Sequence, residues 1–446
     1  MNHQEATSMK PTVAIVGRPN VGKSTLFNRL TGRRQSIVSD LAGTTRDRVI
    51  AETEWSEQPF LLVDTGGLDL FPNDTIWEQV SDQIHFAISQ CDVITLLVDV
   101  SEGITAADRD VADLIRKTGK PTVLAASKSD NDQRKNLAFE LYELGLGDPI
   151  PISAYHNIGL DDLMEQILKY FPSRQTYFAP EADLNLAIVG RTNVGKSMLL
   201  NSITGESRAI VSDISGTTRD SVDTTIIYQD REIQLIDTAG IRRRGSIKKG
   251  IEHYSVLRSM QAIERCHVAA LVLDASEFAT SQDTHIASYI LETYRGIVIV
   301  VNKWDLRREI GLDKETMEKR IREKFKFASY SPIVFTSALK TDGVNELLDT
   351  ALRVQVEWSK GVPRPDIRRT VLSAVAENPP PSGGQRVLKI YSAMQDNTMP
   401  PSFTFFVNHT DMIHFSYRRY LENKLREEYT FEGAPLRFRF RGWKRQ

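Results

Sequence analysis

Two lysines of this chain stand where an ammonium group could meet a phosphate. Lys23 closes the run Gly17-Arg18-Pro19-Asn20-Val21-Gly22-Lys23-Ser24, and Lys196 closes Gly190-Arg191-Thr192-Asn193-Val194-Gly195-Lys196-Ser197. Glycines at these places let successive backbone N–H groups turn toward one anion, and a helix beginning at the lysine adds the positive end of its dipole. The lysine would reach the outer phosphates, and the hydroxyl of Ser24 or Ser197 suits Mg²⁺, a hard cation that takes oxygen ligands. The flanks agree: an apolar run precedes each loop (Val13 to Val16, Leu186 to Val189), and Leu26, Phe27 and Leu30 follow the first at helical spacing. Strand, loop and helix in that order are the setting of a P-loop, which on its own specifies only a nucleoside triphosphate.

Further residues narrow the chemistry. Asp64-Thr65-Gly66-Gly67-Leu68 and Asp237-Thr238-Ala239-Gly240-Ile241 each follow an apolar strand. The aspartate is expected to orient a water on Mg²⁺, and Gly67 or Gly240 to offer its N–H to a γ-phosphate. Asn302-Lys303-Trp304-Asp305, after the apolar run Ile297 to Val301, adds a carboxylate that can accept from N1–H and the 2-amino group of guanine. Adenine offers neither donor there, so the nucleotide is read as GTP. Ser127-Lys128-Ser129-Asp130 holds the same place earlier in the chain, and Ser153-Ala154 and Ser337-Ala338 complete the two base-side loops.

These residues must be held by two copies of one domain. Gly43-Thr44-Thr45-Arg46-Asp47 recurs as Gly216-Thr217-Thr218-Arg219-Asp220, displaced by 173 like the P-loops and the Asp64 motif, and the offset becomes 175 at Cys91/Cys266, Asp99/Asp274 and Asp130/Asp305. A period this long is a duplicated domain and not a solenoid. Short β-branched strands (Thr12 to Val16, Phe60 to Val63, Val93 to Val98, Thr122 to Ala125) alternate with helical stretches such as Asp161 to Tyr170. That alternation predicts an α/β fold, a doubly wound and mainly parallel sheet in each copy. The expected layout is a first nucleotide domain over 1–171, a linker over 172–183, a second nucleotide domain over 184–358 and a third domain over 359–446.

Composition bounds the rest. With 446 residues, 41% hydrophobic and 26% charged, the chain is expected to fold as soluble domains, and no window of about 18 apolar residues suggests a membrane span. Met1 to Lys10 is polar, so no secretory signal is expected, and Cys91 and Cys266 read as reduced core thiols of a cytoplasmic protein. No histidine is spaced with Cys or carboxylates as a zinc site would need.

Charge is uneven along the chain. From Gly361 to Gln446, 14 Lys and Arg face 8 Asp and Glu, a balance of +6 that leaves −8 elsewhere. The pattern there predicts a helix over Ile367 to Glu377, strands over Arg386 to Tyr391 and Phe403 to Val407, a helix over Ser416 to Glu428 and a strand over Leu436 to Phe440. Lys360 to Pro365 reads as a link into this α-β-β-α-β domain, and Arg437, Arg439 and Arg441 as a phosphate-facing edge. The basic stretch Arg242-Arg243-Arg244, with Lys248 and Lys249, reads equally as a solvated loop or as a second place for phosphate contact.

The paired P-loops, the Gly-Thr-Thr-Arg-Asp repeats, the guanine motifs and the C-terminal stretches Phe405-Phe406-Val407-Asn408 and Tyr417 to Arg426 together resemble the EngA (Der) family of tandem GTPases, over nearly the whole chain. The resemblance implies a GTPase that hydrolyses GTP to GDP and phosphate and works in assembly of the large (50S) ribosomal subunit, with a KH-like C-terminal domain. It implies Thr45 and Thr218 as Mg²⁺ ligands in the closed switch, and Asn20 and Asn193 as ligands of an activating K⁺. Partners are then the large subunit and its rRNA, no membrane is expected, and the chain should work as a monomer.

Four departures stand out. Ser127 replaces the usual asparagine, which predicts weaker base binding in the first domain. Thr192 and Met198 replace a proline and a threonine of the second P-loop, at positions that supply no ligand. Leu68 and Ile241 stand where Ras-like GTPases carry the glutamine that positions water, so hydrolysis is expected to depend on a cation or a partner. No Gly-x-x-Gly loop follows the pattern of an RNA-clamping KH domain. Two other readings stay open here, a nucleotide-gated RNA-binding scaffold with incidental turnover and a P-loop enzyme that phosphorylates a small molecule.

Overall fold

The computed structural model describes residues 10–32, 50–65, 88, 91–171, 182–206, 208–210, 223–238, 252–309, 311–380 and 386–443. The first α/β sheet contains β1 (Thr12–Val16), β2 (Ile50–Trp55), β3 (Gln58–Asp64), β4 (Val93–Asp99), β5 (Thr122–Ser127) and β6 (Ile150–Pro151), in the order β2-β3-β1-β4-β5-β6. Among the described residues of this sheet, only the β2–β3 pair is antiparallel. Both faces are covered, because successive residues of β1 point to opposite sides. Ala14 and Val16 pack with Val111, Ala112 and Ile115 of the helix Ala106–Thr118. Val13 and Ile15 pack with Leu26, Phe27 and Leu30 of the helix Lys23–Thr31 and with Leu163, Met164 and Ile167 of the helix Leu160–Lys169.

The second copy has the same plan. Its strands β7 (Leu184–Val189), β8 (Arg208–Ile210), β9 (Thr224–Tyr228), β10 (Arg231–Ile236), β11 (Val268–Asp274), β12 (Gly296–Asn302) and β13 (Ile333–Phe335) lie in the order β13-β12-β11-β7-β10-β9-β8. β11 and β12 are buried along their whole length, as parallel strands with helices on both faces must be. Leu199, Leu200 and Ile203 of the helix Lys196–Glu206 and Leu347, Leu348 and Ala351 of the helix Val344–Trp358 close one of those faces. Cys91 and Cys266 are free and buried, and burial pushes both thiols up to about 12, so neither is a nucleophile near neutral pH.

The C-terminal elements follow the expected order. They are the helix Arg364–Glu377, β14 (Ile390–Thr398), β15 (Pro401–Val407), the helix Phe415–Tyr429 and β16 (Arg437–Gly442). β14 runs on to Thr398, beyond the Arg386 to Tyr391 reading, because its polar half, Gln395 to Asn397, is drawn into the sheet by pairing with β15 through two register shifts. Pairing across the sheet outweighs the weak strand propensity of those residues. Phe403, Phe405 and Phe438 form the centre of the core, packed edge to face at 4.9–5.9 Å.

This domain is joined to the second α/β domain more tightly than a linker reading of Lys360 to Pro365 implies. The Gln395 amide accepts from the Val362 N–H at 2.7 Å and donates to the Lys360 carbonyl at 2.8 Å. Trp358, the last residue of its helix, already belongs to the C-terminal core. The Ile297 N–H donates to the Gly433 carbonyl at 2.8 Å, and the Gly433 N–H donates to the Tyr330 carbonyl at 2.9 Å. The Arg426 guanidinium covers the Tyr330 ring 3.5 Å from its centroid. Gly433 has φ 66, and a Cβ there would lie 2.6 Å from Val354 Cγ2. The contact falls at the Ile297 end of β12, and Asn302 lies at the other end of that strand. The three strand arginines also separate: Arg437 sits over Tyr294, Arg439 faces Asp396 at 3.5 Å, and Arg441 is exposed, so the expected phosphate edge reduces to its outer end.

Candidate nucleotide sites

Both P-loops fold as anion cradles. The Lys23 ammonium donates to the Gly17 and Arg18 carbonyls at 2.8 Å each, and the Lys196 ammonium donates to Gly190, at 2.6 Å, and to Arg191. Each lysine therefore arches over its own loop with its charge at the loop's centre. Gly17 and Gly190 run against the Leu97 and Val272 carbonyls, where a Cβ would come within 2.5 Å. Asn20 and Asn193 hold left-handed backbone at φ 66 and 64. Arg18 and Arg191 tie the loops to the segments after β4 and β11: Arg18 to Glu102 and to Asp108 of the helix Ala106–Thr118, Arg191 to Glu277 and to Asp283 of the helix Ser281–Glu292.

The Ser24 hydroxyl donates to Asp64 Oδ2 at 2.8 Å, which brings together the two oxygens expected at a Mg²⁺ site. A hydroxyl and a carboxylate beside the P-loop lysine form a donor set suited to a hard divalent cation. In the second copy Asp237 follows β10 at φ 57 and its N–H donates to Asp223 Oδ1 at 2.8 Å. Thr65 donates to the Ile15 carbonyl at 2.8 Å, and Thr238 shares a 2.8 Å hydroxyl pair with Thr224.

On the base side, Asp99 and Asp274 each end a strand beside Ser127 and Asn302 and hold the motif lysines: Lys128 to Asp99 at 2.5 Å, Lys303 to Asp274 at 2.6 Å. Burial alone would raise both carboxyls, but hydrogen bonds from Lys128 and Ser101, or Lys303 and Ser276, outweigh it and hold them below the usual carboxylate range. Ser153 donates to Asp130 Oδ1 at 2.7 Å, and Ser337 donates to Asp305 Oδ1 at 2.6 Å. The loops that carry Ala154 and Ala338 are pinned in different ways, by Arg29 donating to the Ala154 carbonyl and by Ser202 donating to that of Ala338.

Asn302 ties its own motif to the P-loop and to the other base-side loop. Its Nδ2 donates to the Val194 carbonyl at 2.9 Å, and its Oδ1 accepts from Thr336 Oγ1 at 3.1 Å and from the Ala338 N–H at 3.0 Å. The amide is therefore a strut between the P-loop and the base-side loop, and its Nδ2 carries a second N–H besides the one given to Val194. Ser127 keeps half of the strut, its single O–H shared between the Val21 carbonyl at 2.8 Å and the Val98 carbonyl at 3.1 Å. Ile152 stands where Thr336 does, so the first copy lacks both partners of the Asn302–Thr336 bond and keeps only the backbone N–H of Ala154 in place of that of Ala338. Trp304 packs against Phe335 at 4.5 Å, and Ser129 donates to the Ala126 carbonyl at 2.9 Å.

Sequence reasoning missed Thr336, whose signal is its place just before Ser337-Ala338. It also missed Arg134, four residues after Asp130 and ion-paired to it at 2.6 Å. Thr45, Gly66, Gly67, Leu68, Thr218, Ala239, Gly240, Ile241 and the basic stretch Arg242 to Lys249 lie outside the described residues.

Two α/β domains of one plan, each with a P-loop lysine and a guanine-type carboxylate, define a tandem P-loop GTPase. Residues 12–128 and 185–303 match the family described as 50S ribosome-binding GTPase, and 362–441 match the KH-domain-like C-terminal domain of EngA bacterial GTPase enzymes. GTPase Der of Chloroflexus aggregans is 48% identical over 98% of this chain and 99% of its own, and GTPase Der of Herpetosiphon aurantiacus is 49% identical over 97% of each. A crystal structure of Era from Aquifex aeolicus bound to GDP and aluminium fluoride aligns with 57% of this chain and 87% of that one, at 24% identity and a TM-score of 0.31. The chain belongs to the EngA (Der) family of GTPases, and it is a GTP-hydrolysing enzyme with a KH-like C-terminal domain.

Proposed function

We propose that GTP turnover by this chain serves assembly of the large (50S) ribosomal subunit, with the KH-like domain meeting rRNA. The observation that carries this reading is the match of both halves to a 50S ribosome-binding family, joined to a C-terminal domain whose sequence carries +6. In each site water attacks the γ-phosphate while Lys23 or Lys196 and the P-loop N–H groups stabilise the charge that develops. Ser24 with Asp64, and Ser197 with Asp237, would hold Mg²⁺ in concert with Thr45 and Thr218. Bound there, Mg²⁺ would neutralise charge on the β- and γ-phosphate oxygens. Asp130 and Asp305 read the guanine edge, and Asn20 and Asn193 would hold K⁺, which would supply positive charge where no glutamine positions water. Among the described residues no helix is long and apolar enough to cross a membrane. We place the protein in the cytoplasm as a monomer that binds ribosomal subunits.

Sedimentation with purified large subunits tests this directly. Association should strengthen with a non-hydrolysable GTP analogue and weaken as salt rises, because each neutralised phosphate releases condensed counterions. Equal pelleting with GDP, with the analogue and without nucleotide would remove the proposal.

A further inference from the structure

The duplication offers an internal control for every residue near the bases, and one position differs in sign. Asp130 and Asp305 both accept from a serine on Oδ1, Ser153 at 2.7 Å and Ser337 at 2.6 Å. On Oδ2 of Asp130 the Arg134 guanidinium donates at 2.6 Å and also lies 3.5 Å from the Lys128 carbonyl. The residue four places after Asp305 is Glu309, which carries the opposite charge.

A carboxylate reads guanine by accepting from N1–H and the 2-amino group together, which asks for both of its oxygens. A guanidinium is a stronger donor to a carboxylate than either neutral group of the base, because both partners of its bond are charged. Arg134 also neutralises the carboxylate on which those two bonds depend. Guanine arriving at the first site must therefore displace Arg134 or share Oδ2 with it, whereas at Asp305 no cation stands at the equivalent place in the sequence. We propose that Arg134 is an internal competitor for the guanine-reading carboxylate, so that the first site binds guanine nucleotides more weakly and exchanges them faster than Asp130 alone would allow. The inference rests on Asp130 being the guanine reader.

The pair is partly exposed, with 41% of the Arg134 side chain and 30% of the Asp130 side chain accessible, which sets its scale. Exposed ion pairs of this kind shift an equilibrium by roughly two- to five-fold. They are also screened by salt, since the Debye length falls to about 3 Å near 1 M. Competition thus has a signature that a merely structural arginine lacks: its effect fades as ionic strength rises.

The test uses the full chain carrying Lys196→Ala, so that the first site dominates a titration with fluorescent GDP in NaCl buffers. Adding Arg134→Gln should tighten GDP roughly two- to five-fold at low salt, with the gap closing at high salt. Unchanged or weaker binding would overturn the proposal. Asp130→Asn separates the two claims: loss of GDP with a gain of xanthosine diphosphate supports Asp130 as the reader, and unchanged GDP binding would remove that reading itself. The converse swap, Glu309→Arg in a chain carrying Lys23→Ala, should weaken GDP at the second site, and an unchanged affinity there would count against competition from this position.

Discussion

Asn302 commits its Oδ1 and one Nδ2 N–H to the protein, and Ser127 can commit only a hydroxyl. Weaker nucleotide binding in the first domain is therefore expected through a looser base-side loop. Ser127→Asn should let the new Oδ1 reach the Ala154 N–H, a gain of about 1 kcal/mol or roughly fivefold in GDP affinity. Ile152 offers that oxygen no donor, so Ser127→Asn with Ile152→Thr should exceed the single change. Calorimetry on the first site decides, and a single variant that bound GDP more weakly would show that the smaller side chain suits this loop. The potassium reading also belongs at this scale. Hydrolysis should run faster in K⁺ than in Na⁺ at equal ionic strength, and Asn20→Gly should blunt that response in the first domain alone. Glycine is the right probe because φ at Asn20 is 66, where alanine would add backbone strain to the loss of the carboxamide. Equal rates in the two salts would remove the K⁺ assignment.

At the scale of elements, the start of β11 carries a pH dependence. His267 accepts the Asn185 N–H on Nδ1 at 3.2 Å and stacks on Trp358 at 5.6 Å. Burial, helped by the Arg295 charge, pushes the imidazole from its ordinary 6.5 down to about 4. Its folded pKa is lower than its unfolded one, so the unfolded chain binds the extra proton first as pH falls. Stability from this group is complete above 6.5 and is lost progressively toward 4, by up to about 3 kcal/mol. Urea midpoints measured from pH 7 to pH 4.5 should fall in the wild type, and the slope should flatten in His267→Gln. An unchanged slope would mean that other groups set the acid sensitivity of this domain.

For the whole molecule, the C-terminal domain and the second GTPase domain share core and backbone. Trp358 ends a helix of one and sits in the core of the other, and Gly433 bonds to Ile297 and Tyr330. Removing 361–446 should therefore do more than delete an RNA-binding surface. It uncovers Trp358 and Val354, and the second GTPase domain should unfold several degrees lower while GDP binding at the first site is retained. Gly433→Ala is the milder probe: its Cβ meets Val354 Cγ2 at 2.6 Å in left-handed backbone, which should destabilise by about 1–3 kcal/mol. Calorimetric scans of the three proteins check this, and identical upper transitions would show that the domains are stable apart.

The nucleotide loops and the parallel sheets were legible in the sequence because their causes are local. A phosphate cradle needs glycine, lysine and hydroxyl at set spacing along one turn of chain, and a strand buried on both faces must be continuously apolar. Duplication then marked both sites, at a displacement of 173 for the phosphate-side motifs and 175 at the guanine carboxylate. What the tertiary structure decided involves partners far apart in sequence or a choice among neighbours. Ser127 and Asn302 reach their P-loop carbonyls across 106 and 108 residues, and no local pattern says that the amide turns inward. Lys360 to Pro365 reads as a link because its composition is that of a loop, but Gln395, 33 residues on, fixes it. Arg437, Arg439 and Arg441 alternate identically on paper. Only the packing of β16 separated one that covers a tyrosine, one that meets an aspartate and one left at the surface.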